Sequence, residues 1–195
     1  MIVVDIETTG TDAHKHSIVS IGAVNLDKPS EQFYEECRVW DGAHIDSAAL
    51  DVNGYSEDAV KDPTKQEEGD VVRGFFAWLE GRENQLLAGQ NPMFDLGFLQ
   101  AAAARHHIDF RIAHRSLDLH TMTYFHMVKR GIEPPMKNKK TDINSDGIMN
   151  YVGIPAEPKP HIALNGALWE AEAFSRLLFN RSLLSQFSQF PIPWH

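Results

Sequence analysis

Asp5 and Glu7, two residues apart in Ile2-Val3-Val4-Asp5-Ile6-Glu7-Thr8-Thr9-Gly10, are the first residues here that could do chemistry. The apolar, largely β-branched run around them reads as a buried strand that stops at Gly10. Side chains alternate along a strand, so both carboxylates point to one face, roughly 7 Å apart. Two like charges side by side on a central strand are costly unless something binds them. A divalent cation with a preference for carboxylate oxygen, Mg²⁺ or Mn²⁺, would compensate them; so would a strand end open to water.

Two further residues suit the same chemistry. Asp95 lies in Gly89-Gln90-Asn91-Pro92-Met93-Phe94-Asp95, where a short strand runs into a helix. Asn91 is placed to cap that helix and Pro92 to open it, which puts Asp95 in the first turn. There it either complements the helix dipole or is delivered by the strand end to the crevice of Asp5 and Glu7. His161 opens the last helix in His161-Ile162-Ala163-Leu164-Asn165-Gly166-Ala167. A helix N-terminus disfavours imidazolium and keeps the ring able to accept a proton. Among ten histidines, it stands out by position and neighbours alone.

The elements that must position these groups follow from periodicity. Residues 17–26 and 32–40 read as strands joined by Asp27-Lys28-Pro29-Ser30 into an antiparallel hairpin. Short helical pieces fall near 46–52 and 56–61, and Val71, Val72, Phe75, Phe76 and Leu79 form one helical stripe. A strand over 85–89, a helix over 93–106, a strand near 115–119 and a helix over 120–130 follow. Residues 131–142 read as a mobile basic loop carrying Lys137, Lys139 and Lys140; these either hold phosphates or are merely solvated. A helix over Ser145–Val152 precedes the long last helix, about 161–181, with Leu164, Ala167, Leu168, Ala171, Phe174 and Leu178 toward the core. The chain reads as irregular from Gln186 to His195, and a domain spanning 1–182 is expected, with 183–195 as a C-terminal tail. Strands first and then alternation with helices favours a mixed α/β sheet flanked by helices.

Composition narrows the class. A chain of 195 residues, 43% hydrophobic and 23% charged, is expected to form one domain with a real core. No apolar run approaches bilayer length. A strand starting at residue 2 leaves no room for a signal peptide. The lone Cys37 excludes an intramolecular disulfide, and a cytoplasmic location is the simplest expectation. A net charge of −9 argues against broad capture of duplex nucleic acid, though not against a small site where metal ions neutralise a phosphodiester.

Asp5-Ile6-Glu7-Thr8-Thr9-Gly10, then Asn91-Pro92-Met93-Phe94-Asp95 with Phe98-Leu99, then His161-Ile162-Ala163-Leu164 with Ala167, resemble the DEDDh 3′-to-5′ exonucleases. The resemblance runs from residue 2 to about 180. It implies a ribonuclease H-like fold with a five-stranded mixed sheet and helices on both sides. It implies two divalent metal ions, Mg²⁺ or Mn²⁺, held by Asp5, Glu7 and Asp95, and His161 as the general base toward water. Thr8, Thr9 and Gly10 match the turn against the 3′-terminal nucleotide, with Asn91 beside it. The implied partner is a single-stranded DNA or RNA 3′ end; no membrane is implied, and a homodimer is left open. A one-domain chain would be a stand-alone trimming enzyme or a subunit acting in trans.

One position departs from the family. An aspartate is expected five residues after the histidine, and Gly166 stands there. Glu170, one turn later on the same helical face, is the candidate substitute. Two functions therefore stand: a metal-dependent 3′-to-5′ exonuclease releasing nucleoside monophosphates, or a catalytically impaired relative that binds nucleic acid or protein through the same fold.

Overall fold

The computed structural model describes residues 1–112 and 115–195. The opening apolar run forms β1 (Ile2–Thr8), which pairs antiparallel with β2 (Ile18–Asn25). β2 pairs antiparallel with β3 (Gln32–Arg38), so the expected hairpin forms. Two short helices follow, α1 (Ser47–Asn53), capped by the Asp46 side chain, and α2 (Glu57–Val60), capped by Ser56. β4 (Gln66–Glu67) pairs parallel with β3 and leads straight into α3 (Glu68–Glu80). β5 (Leu87–Gly89) pairs parallel with β1, and α4 (Met93–Arg105) follows it. β6 (Ser116–Asp118) pairs parallel with β5 and gives way to α5 (Leu119–Lys129). A small hairpin, β7 (Met136–Lys137) and β8 (Lys140–Thr141), precedes α6 (Ser145–Val152) and α7 (Ala163–Phe179).

The main sheet has the order β4-β3-β2-β1-β5-β6, mixed in direction. It has six strands where five were expected. The extra one is β4, two exposed polar residues at the edge, too short to carry any alternation. The segment 131–142 contains the β7–β8 hairpin rather than being loop throughout.

Helices cover both faces. Ile2, Val4 and Ile6 pack with Phe75, Phe76 and Leu99 on one side, and Val3 and Ala88 with Ala167, Ala171 and Phe174 on the other. This is what alternation along β1 demands of a strand buried on both faces. Leu178, expected in the core, is exposed; α7 instead buries Glu172 and Arg176 completely. Arg176 Nε donates to Glu172 Oε1 at 2.7 Å, and the guanidinium also donates to the carbonyls of Val152, Phe187 and Phe190. Glu172 accepts from the backbone amides of Leu183 and Leu184. The tail is thereby docked: Phe187 is buried and Trp194 packs against the same core cluster.

Candidate active site

The pairing of β1 with β5 ends at Val3 and Ala88, while β1 runs on to Thr8. Beyond that point the β5-facing edge of β1 lacks a strand partner, and a crevice opens at the carboxyl ends of the two strands, where open α/β sheets place their ligands. The register between β1 and β2 also shifts between Glu7 and Thr8, a bulge at the rim.

Asp95 crosses this opening. Its Oδ1 accepts the freed Ile6 amide at 3.1 Å, which ties the first turn of α4 to β1. Gly22, opposite Asp5 on β2, makes the third approach feasible. A β-carbon there would overlap the backbone of Ala163, so only glycine lets the start of α7 lie on the strand. α7 then carries Gly166 and Glu170 over Asp5. Glu170 Oε2 accepts the Gln90 amide at 3.1 Å.

The resulting cleft, about 280 Å³, is lined by Asp5, Glu7, Asp95, Glu157, His161 and Glu170, together with Asn91, Phe94, Ser145 and Gly166. Five carboxylates share it, and among the described residues no lysine or arginine lines it. Burial pushes Asp5 well above the ordinary carboxylate range, and the charges of Glu170, Asp95, Glu7 and Glu157 add to it. Burial and then Glu157 lift Glu7 to about 7. Burial lifts Asp95 to about 8, against the hydrogen bonds from the backbone, with the Glu7 charge adding to the rise. Glu170 is raised by burial and by Asp95, with the Gln90 amide opposing. These are the marks of hard oxygen donors crowded without a counter-charge. The donor set fits Mg²⁺ or Mn²⁺. It is not drawn in: among the described residues, no three His, Cys, Asp or Glu side chains are gathered tightly enough to hold one ion.

Position 166 is not an empty pocket. A β-carbon on Gly166 would overlap Asp5 Oδ2 and lie 2.8 Å from Asp5 Cγ, so the Asp5 carboxylate leans into the space a side chain would take.

His161 lies on the cleft wall two residues before α7, whose N-cap is Ile162; it does not open the helix as expected. Its Nδ1 is 3.8 Å from Glu157 Oε2. Glu157 also accepts the Ile162 amide at 3.3 Å, and its carboxyl is raised by burial, with His161 opposing. Beside the ring the structure thus places a carboxylate as well as the start of α7. Glu157 escaped the sequence reading because it sits in the proline-rich stretch Pro155–Pro160, where a lone glutamate carries no pattern. Its spacing of four from His161 was the available signal. The indole of Trp169 donates to Pro155 O at 3.0 Å and pins this stretch to α7.

Asn91 also differs from expectation. It does not cap α4; Pro92 holds that position, and Asn91 has φ +57°. Its amide donates to Asp118 Oδ1 at 3.0 Å, and the residue lines the cleft. Thr8 and Gly10 line an adjoining cavity of about 230 Å³, walled by Ile6, Glu7, Phe94, Ala49 and Val52. The Thr8 hydroxyl donates to Gly10 O. Thr9 is fully buried and turned away, donating to His44 O and accepting the Ser17 amide.

The family model described as exonuclease, RNase T, matches residues 2–164. Solved structures of similar shape include cell-death related nuclease 4 (TM-score 0.71, 16% identity, 93% of this chain and 64% of that one). The nuclease domain of 3′hExo, a DEDDh family member bound to rAMP, aligns with TM-score 0.70 at 15% identity, over 94% of this chain and 93% of that one. E. coli exonuclease I in complex with a dA16 oligonucleotide aligns with TM-score 0.70 at 17% identity, over 92% of this chain and 40% of that one. This chain thus spans under two thirds of the length of the first and of the third. At such identities the likeness establishes the fold: an α/β sheet flanked by helices, as in these nucleases.

Proposed function

The chain belongs to the RNase T exonuclease family, and from that premise we propose that it hydrolyses phosphodiester bonds from single-stranded 3′ ends in a divalent-metal-dependent reaction. The observation that carries this reading is the cleft in which, among the described residues, five carboxylates meet without a lysine or arginine and His161 stands on the wall. Asp5, Glu7 and Asp95 would hold the metal, with Glu170 supplying the carboxylate that position 166 lacks. When bound, Mg²⁺ or Mn²⁺ supplies charge neutralisation and Lewis acidity at the scissile phosphate.

The remaining roles fall to the chain itself. His161 accepts the proton of the attacking water, and Glu157 faces its ring and orients it. The wall of Thr8, Gly10 and Phe94 takes the terminal nucleoside beside the acidic cleft. The bulge at Glu7–Thr8 turns the end of β1 toward that wall. The oligonucleotide in the exonuclease I structure and the rAMP in the 3′hExo structure are in keeping with such an occupant.

Gly166 favours a second reading, a weakened enzyme retained as a binding module. Incubation of a 3′-labelled oligonucleotide with Mn²⁺ or Mg²⁺ separates the two: stepwise release of labelled mononucleotide supports the exonuclease, and retention of the label with binding intact supports the module.

A further inference from the structure

The β7–β8 hairpin carries three lysines in four positions, Lys137, Lys139 and Lys140, on a chain of net charge −9. All three are exposed, and among the described residues none of them is within ion-pair distance of a carboxylate. The hairpin sets Lys137 directly across from Lys140. Like charges placed opposite one another destabilise a two-stranded pair. The turn between them holds Asn138 at φ +50° and Lys139 at φ +64°, a left-handed conformation that lysine adopts at a cost. The left-handed turn itself suits a two-residue hairpin, but a lysine within it and a lysine pair across it do not favour its formation. Both place positive charge at its tip.

The hairpin is tied to the acidic cleft from two sides. Thr141 Oγ1 lies 2.8 Å from the His120 ring Nε2. The His120 amide donates to Asp118 Oδ1, which also accepts the amide of Asn91 on the cleft wall. On the other side β8 leads within four residues to Ser145, which also lines the cleft. The base of the lysine hairpin is therefore held beside a cleft crowded with carboxylates.

We propose that this hairpin is a phosphate clamp for the single nucleic acid strand whose 3′ end enters the acidic cleft. Lys137, Lys139 and Lys140 hold phosphates 5′ of the scissile one and relieve the Lys137–Lys140 repulsion as they do so. The clamp gives the protein preference for oligonucleotides over mononucleotide esters without a basic face over the rest of its surface. It rests on the exonuclease reading for the direction of the strand, but its binding step is separable from catalysis.

The test is fluorescence anisotropy with a labelled oligothymidylate of about a dozen residues, titrated with full-length protein in Ca²⁺ at several salt concentrations. Replacing Lys137, Lys139 and Lys140 together by alanine should weaken binding at least about tenfold. It should also flatten the dependence of log Kd on log salt by about 2, since each phosphate contact on a single strand contributes about 0.7. The triple arginine variant should keep affinity and slope, which separates lost charge from a collapsed hairpin. Unchanged affinity and slope in the alanine variant overturn the clamp, as does loss of binding in the arginine variant as large as in the alanine one. Release of labelled mononucleotide from a 3′-labelled oligonucleotide by the unaltered protein in Mn²⁺ probes the catalytic reading alone: no release with the clamp's binding signature present sinks the exonuclease and leaves the clamp standing.

Discussion

The Asp5 carboxylate occupies the volume that a side chain on Gly166 would fill, with Asp5 Cγ 2.8 Å from where that β-carbon would stand. The two positions cannot both hold a carboxylate without Asp5 turning away. Gly166→Asp should therefore act in opposite directions with and without metal. In EDTA it adds a sixth carboxyl group to an uncompensated cluster and should lower the melting temperature. In Mn²⁺ the extra ligand should enlarge the metal-induced rise and cut the metal needed for half-maximal activity by about 10-fold or more, the scale on which ligand-shell changes act. Gly166→Ala separates volume from charge: alanine gains about 1 kcal/mol of helix propensity but meets the same overlap. Thermal melts of both variants with and without Mn²⁺ check this.

The pH dependence of the metal-free protein follows from the raised carboxyls. Glu7 rises from 4.5 to about 7 and Asp95 from 3.8 to about 8. Below the unfolded values both states are protonated. Between those values and the folded ones, the unfolded chain has released protons that the folded chain still holds, so stability falls as pH rises. Melting temperature in EDTA should therefore decline from about pH 4 to pH 8 and level off above. Millimolar Mn²⁺ should reverse the decline by binding the ionised form, and Asp5→Asn should abolish that rescue. A melting temperature in EDTA that climbs through this range would contradict the crowding.

His161→Ala should leave the Mn²⁺-induced stabilisation intact while lowering the hydrolysis rate by about 10²–10⁴-fold, the usual worth of a positioned base. Equal rates for variant and parent between pH 6 and 9 would remove it from the reaction.

Arg176 and Glu172 form a pair buried completely, with the guanidinium also serving four backbone carbonyls. Arg176→Ala strands Glu172 without its counter-charge and releases the tail. The expected cost is about 3–5 kcal/mol, as for other broken buried pairs. Urea denaturation should show it, and limited proteolysis should begin within 183–195.

Much of this was legible in the sequence because it is written in period and punctuation. The apolar run of β1, the stripe of α3 and the turn before α4 each state their own element. Asp5, Glu7, Asp95 and His161 were found because motif and spacing marked them, and they line one cleft. What escaped depends on contacts distant in the chain. Glu157 reaches the cleft on a loop held by Trp169 and by the Ile162 amide. Arg176 belongs to no motif, and most of its partners lie in a tail with no pattern of its own. Asn91 looked like a cap, yet the Asp118 carboxylate from the neighbouring strand takes its amide. β4 has two residues, below the length at which alternation exists at all.

Glu170 and Glu157, the two glutamates brought to the cleft by α7 and the segment before it, hold different places. Glu170 is the first of the charges that raise Asp5, and it lies on the helix that carries Gly166, its oxygen already fixed by the Gln90 amide. Glu157 faces His161 and is held by the Ile162 amide. If Glu170 is the metal-holding group, Glu170→Gln should weaken Mn²⁺-induced stabilisation about 10–100-fold in metal concentration, and added metal should recover part of the rate. Glu157→Gln should leave that metal titration where it is. It loosens the imidazole that Glu157 faces, so the rate should fall at every metal concentration. The two substitutions, each followed by thermal shift and by rate against Mn²⁺ concentration, exchange signatures if the roles are reversed. Identical behaviour of both would mean that the five carboxylates act as one undivided cluster.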